Sequence, residues 1–142
     1  MSAFRSAVEA KDLEAMEAAL APDVAFRSPV VFKPYHGREA VVHLLRNVVE
    51  VFEDFRYVDQ LAGESTEGLV FRASVGAKEV EGWDYLTVGD DGLVTELVVM
   101  LRPLSGAIAM AEAMGARLAE DPVPAATPAT AAATDAATAG PA

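Results

Sequence analysis

The sequence predicts an α+β fold in one domain, and three features carry that expectation. Helical patterns gather in the first half of the chain, whereas strand-like segments with turn signals between them gather in the second. Helices early and strands late indicate α+β rather than an alternating α/β arrangement. The third feature is an acid in an unusual setting: in "VEGWDYLTV", strand alternation puts Asp84 on the same side as Val80, Leu86 and Val88. A carboxylate avoids an apolar face unless something there holds it.

Each element has its own signal. "AFRSAVEAKDLEAMEAALAPD" reads as helix, with Phe4, Val8, Leu13, Met16 and Leu20 at helical spacing. Asp12 is placed to cap a second short helix from Leu13, and Pro22 to stop it. "VAFRSPV" alternates as a strand, with Val24, Phe26 and Ser28 on one face, and Pro29 confines it to an edge or a strand end. "FKPYHG" reads as a loop. Gly37 then opens the strongest helix, "REAVVHLLRNVVEVF", whose stripe of Val41, Leu45, Val48 and Phe52 faces inward. His43, Arg46, Asn47, Glu50 and Glu53 are read toward solvent.

"FRYVDQLAGE" and "LVFRASVGAKE" are strands separated by "STEG". "VEGWDYLTVG" and "LVTELVVMLRP" follow, joined by "DDG", where Asp-Gly supplies a positive-φ hairpin turn. "LSGAIAMAEAMGARLA" closes the domain as a helix. Both faces of the last strand are apolar, Leu97, Val99 and Leu101 on one and Val98 and Met100 on the other, and Trp83 and Tyr85 point away from Asp84. A sheet apolar on both sides requires cover on both sides. Two covers are open: a second copy of the chain, giving a homodimer through the sheet, or the C-terminal helix.

The expected domain runs over residues 2–120. Residues 121–142 are built almost wholly from Ala, Thr and Pro and are expected to form a disordered tail. Net charge is −11, from 22 acidic against 11 basic residues. With no basic stripe, neither nucleic acid nor an anionic membrane is an expected partner. There is no cysteine, hence no disulfide or thiolate metal site. The N-terminal segment does not read as a signal peptide, and a cytoplasmic location is the expectation.

Three segments, "KDLEAMEAALAPDVAFRSP", "YHGREAVVHLL" and "WDYLTVGDDGLVTEL", in this order and spacing resemble the nuclear-transport-factor-2-like superfamily. Within it the likeness is to SnoaL-like polyketide cyclases and ketosteroid isomerases. The resemblance implies a cone: a curved antiparallel sheet wraps the N-terminal helices and one long helix, and encloses an apolar pocket. It implies no cofactor or metal. Members commonly form dimers, and their functions run from isomerases and cyclases to binders that catalyse nothing.

Position by position, the ketosteroid isomerases' base is an aspartate before the proline that ends the first strand; here that position is Ser28. Their oxyanion tyrosine on the first helix falls on Phe4. Their protonated aspartate, eight residues before the glycine of the last hairpin, falls on Asp84. An epoxide-hydrolase arrangement would require arginine at Gly82. Asp84 is therefore the catalytic candidate, as an acid or hydrogen-bond donor. Phe4, Ser28, His36, Tyr57, Asp59, Val99 and Leu101 are the candidates to line a ligand site. His36 stands in the loop before the long helix, and Tyr57 and Asp59 share one face by strand parity unless a bulge intervenes. The alternative reading of Asp84 is a core residue hydrogen-bonded to Tyr57, Ser28 or a backbone group. The expected ligand is a small, largely apolar molecule; the competing class is a non-catalytic ligand-binding or protein-interaction member of the superfamily.

Overall fold

The computed structural model describes residues 2–124. The tail from 125 onward lies outside the described residues, whereas Asp121 and Val123 contact the domain. In chain order the elements are α1 (Ala3–Glu9), α2 (Leu13–Ala19), β1 (Leu20–Arg27), β2 (Tyr35–His36) and α3 (Arg38–Val51). Then come β3 (Glu53–Ala62), β4 (Thr66–Val75), β5 (Lys78–Val88), β6 (Val94–Arg102) and α4 (Leu104–Glu120).

Local chemistry sets the helix starts. Ser2 Oγ accepts the Arg5 N–H at 3.1 Å and Asp12 Oδ1 accepts the Ala15 N–H at 3.1 Å, each satisfying a donor that the first turn leaves open. The second helical pattern is shorter than the apolar spacing predicts. Pro22 cannot sit inside a helix, so the chain turns extended at Leu20, which is fully buried as the first residue of β1. "FKPYHG" is likewise not all loop: Tyr35 and His36 pair antiparallel with Phe26 and Ala25.

Among the described residues, six strands form one sheet in the order β2-β1-β6-β5-β4-β3. Strands β3 to β6 are the expected antiparallel meander. Strand β1 joins its end by running parallel to β6, so the sheet is mixed. The inner face carries Leu69, Phe71, Leu86 and Leu97, all fully buried. Helices α1, α2, α3 and α4 close over that face; the Cβ missing at Gly106 lets α4 approach the Val80 side chain.

Helix α4 therefore covers the inner side. The outer side keeps Trp83, Tyr85 and Met100 at 40%, 38% and 52% exposure. Among the described residues no helix is long and apolar enough to cross a membrane.

Candidate functional site

Strand β5 carries Asp84 into the interior because its neighbours in register, Leu69 on β4 and Val99 on β6, face the same way. The residue is buried. The Tyr57 hydroxyl, itself buried, donates to Asp84 Oδ2 at 2.8 Å. Burial raises the Asp84 carboxyl to about 7, and the Tyr57 hydrogen bond, which favours the anion, acts against that rise. Burial, followed by the nearby Asp84 charge, pushes the Tyr57 phenol far above its ordinary range, so it stays protonated. At the position where an arginine would be needed for an epoxide-hydrolase site, the Phe71 ring lies against Gly82 and fills the space.

Asp84 opens onto a cavity of about 300 Å³. Its walls are apolar: Phe4 and Val8 from α1, Phe26 from β1, Leu45 and Val48 from α3, Leu97 and Val99 from β6, and Met110 and Met114 from α4. The polar side chains in the lining are Glu9, Lys11, Ser28, Tyr35 and Asp84. A neutral carboxyl in such a wall offers one O–H to a ligand carbonyl, since Asp84 Oδ2 already accepts the tyrosine hydrogen bond.

The sequence-derived candidates distribute unevenly about this cavity. Phe4, Ser28, Asp84 and Val99 line it, and Tyr57 reaches it through Asp84. Ser28 builds a turn: its Oγ accepts the N–H groups of Val30 and Val31, both at 3.0 Å. Leu101 packs half-buried against the core outside the lining. His36 is also outside it, held in β2, with Nε2 buried and unpartnered.

Asp59 is a correction. The register shifts between Tyr57 and Asp59, a bulge that sends the two residues to opposite sides. Asp59 is exposed and accepts its neighbour Gln60's N–H at 2.8 Å. His43 and Asn47 are a second correction, for both are buried. His43 Nε2 meets the Asp121 carbonyl at 2.8 Å, and Asn47 Oδ1 accepts from Arg117 Nε at 3.0 Å. The end of α4 thus covers the face of α3 that the sequence pattern gives to solvent. Glu9, Lys11, Tyr35 and the α4 methionines carry no sequence signal that marks them as cavity residues. Periodicity assigns a helix its apolar face without saying whether that face meets packed core or a void.

Behind Tyr57 stands Arg5. Its guanidinium lies over the Tyr57 ring, 5.4 Å from the centroid, and its Nη1 donates to Gln60 Oε1 at 2.9 Å. Arg27, Arg72 and Arg102 instead pair with Glu96 and Glu81 on the outer sheet surface.

Residues 1–97 match the family model of the SnoaL-like domain. Among solved structures, one described as a steroid delta-isomerase from Pseudomonas aeruginosa is 41% identical, with a TM-score of 0.79 over 82% of this chain and 87% of that one. A protein with a cystatin-like fold from Silicibacter pomeroyi is 32% identical, with a TM-score of 0.80 over 84% of each chain. A SnoaL-like protein from Burkholderia thailandensis shares the fold at 20% identity, with a TM-score of 0.59 over 71% of this chain and 90% of that one. No curated protein sequence matches.

Proposed function

This chain belongs to the SnoaL-like domain family, and from that premise we propose that it binds a small, largely apolar carbonyl compound in the cavity beneath its sheet. Asp84 is the hydrogen-bond donor to the carbonyl oxygen, and the chemistry of the site is cofactor-independent proton transfer of the isomerase or cyclase type. The observation that carries this reading is the place of Asp84 in the wall of a largely apolar cavity; its bond to Tyr57 at 2.8 Å, which a core role for Asp84 also predicts, engages only Oδ2. A neutral carboxyl there stabilises negative charge that develops on a carbonyl oxygen; ketosteroid isomerase is the standard illustration of such tuning. The similarity to a structure described as a steroid delta-isomerase supports the same class of reaction.

A second reading, binding without chemistry, is favoured by a specific feature. The residue before Pro29 is Ser28, whose Oγ is engaged by two amides, and Phe4 has no hydroxyl. A proton-transfer enzyme needs a base within reach of the substrate, and neither position supplies one.

One experiment separates these readings. A cyclic apolar ketone and the corresponding hydrocarbon are titrated into the protein and into Asp84→Leu. Loss of the donor is expected to weaken the ketone about tenfold relative to the hydrocarbon. Equal weakening of both would remove Asp84 from the binding role. Deuterium exchange at the carbon beside the bound carbonyl then assigns catalysis, and its absence assigns binding alone. We also propose a cytoplasmic homodimer, with the outer faces of two sheets packed on each other.

A further inference from the structure

The polar groups of the cavity are unevenly placed. Asp84 comes from the sheet, whereas Glu9 and Lys11 enter together from the corner where α1 passes into α2. Glu9 is held there: Arg5 Nε lies 3.4 Å from Glu9 Oε1. Asp12, next in the chain, turns its carboxylate to the first turn of α2. Lys11 is different: it is exposed to solvent, and among the described residues no ion pair or hydrogen bond takes its ammonium group.

The backbone at Lys11 adds an independent observation. Its φ is 54°, in the left-handed region that side chains other than Gly, Asn and Asp seldom occupy. The Lys11 N–H bonds to the Val8 carbonyl and the Asp12 N–H to the Ala7 carbonyl, both at 3.0 Å. This is the paired closing motif of a helix whose left-handed position ordinarily holds glycine. A lysine kept in a glycine position, exposed and among the lining of a largely apolar cavity, leaves a cation available to a ligand there. The net charge of −11 repels anions at long range, so only a local cation would draw one to this mouth.

From this we infer that the bound molecule is an apolar keto acid: its carbonyl meets Asp84 and its carboxylate meets Lys11 at the mouth. The inference rests on the binding proposed above and adds the anionic group. The Arg5 ion pair at 3.4 Å reduces the repulsion that Glu9 would exert on that carboxylate.

The test is calorimetric titration with decanoate bearing a terminal methyl ketone, and with its methyl ester. It is run at low salt and at a pH below Asp84's value of about 7 but above that of an aliphatic acid. The native protein is expected to prefer the acid about fivefold, the scale of one exposed ion pair, and high salt is expected to erase the preference. Lys11→Gly is expected to abolish it while melting no lower than the native chain, because glycine suits the left-handed backbone; Lys11→Arg is expected to keep it. An acid bound no more tightly than the ester, or a preference that survives in Lys11→Gly, would overturn the keto-acid assignment and leave the binding of carbonyl compounds standing. Failure of both compounds to bind would overturn both.

Discussion

The Tyr57 hydroxyl reaches across β4 to donate to Asp84 Oδ2 at 2.8 Å, joining two strands that are not neighbours. The bond favours the anionic form of Asp84 in a setting whose burial disfavours it. Tyr57→Phe is therefore expected to move the Asp84 carboxyl further above about 7. It should also cost about 1–2 kcal/mol of stability where the group is ionised. A carbon-detected NMR titration of the Asp84 carboxyl checks the direction, and an unchanged or lowered value would detach Tyr57 from the site's electrostatics.

The same burial makes stability depend on pH with a definite sign. The Asp84 carboxyl titrates at about 7 in the fold against 3.8 for a free side chain, so between those values the folded state binds more protons than the unfolded one. Its contribution is then most favourable at low pH and declines as pH rises from about 4 to about 7, with no further change above that. The full swing approaches ~4 kcal/mol. Asp84→Asn removes it: relative to the native chain, the variant should gain stability across that window and hold the gain at alkaline pH. Urea unfolding at a series of pH values measures the difference, in which the ordinary carboxylates cancel. A flat difference would mean the acid is solvated.

Much of this was legible in the chain. The order of elements, the DDG hairpin and the inward aspect of Asp84 all follow from strand parity and turn chemistry, which act over a few residues. Asp59 was misplaced because a bulge after Tyr57 adds one residue to β3, and a bulge leaves no mark in the alternation. His43 and Asn47 were misread for a longer-range reason. Their cover comes from Arg117 and Asp121, more than sixty residues on, and a helix pattern cannot register what another helix lays over it. The cavity was expected from the family's cone shape alone. Its polar corner at Glu9 and Lys11 depends on how two short helices meet, which no periodicity reports.

The resemblance to ketosteroid isomerases gives Ser28 the position of their base, and its Oγ accepts two amide hydrogen bonds. An aspartate oxygen can accept the same amides, so Ser28→Asp should keep the turn while placing a carboxylate on the cavity wall. If the cavity holds an enolisable ketone against Asp84, that variant should accelerate deuterium exchange beside the carbonyl at least about a hundredfold, the scale of general base catalysis. No acceleration with ketone binding intact would show that the bound carbonyl lies out of reach of position 28.

His43 ties α3 to the end of α4 through the Asp121 carbonyl at 2.8 Å, with the Asp121 carboxylate 3.3 Å away. Met110, Met114 and Leu118 of that helix line the cavity. His43→Leu fills similar space but leaves the Asp121 carbonyl without its partner. It should cost about 1–2 kcal/mol and speed amide exchange in the last turn of α4 before it affects β5. Uniform loss of protection across the domain would show that the tie supports the whole core and not only the helix end.

The outer sheet face supplies the last prediction. Trp83, Tyr85 and Met100 stand exposed, with Trp83 opposite Met100 and Tyr85 opposite Val98 across β5 and β6. Arg72, Glu81 and Arg102 form a charged border on one side, and Arg27 with Glu96 a border on the other. An apolar centre inside a rim of both charge signs suits pairing with a rotated copy of itself, because each rim then offers acids and bases to its partner. Trp83→Glu puts a carboxylate at the centre of that patch, where two copies would bring like charges together without water. Light scattering is expected to give a dimer for the native chain and a monomer for the variant, with the far-ultraviolet circular dichroism spectrum unchanged because the residue is half-exposed in one chain. A native monomer at high protein concentration would leave this face without a second copy as its cover.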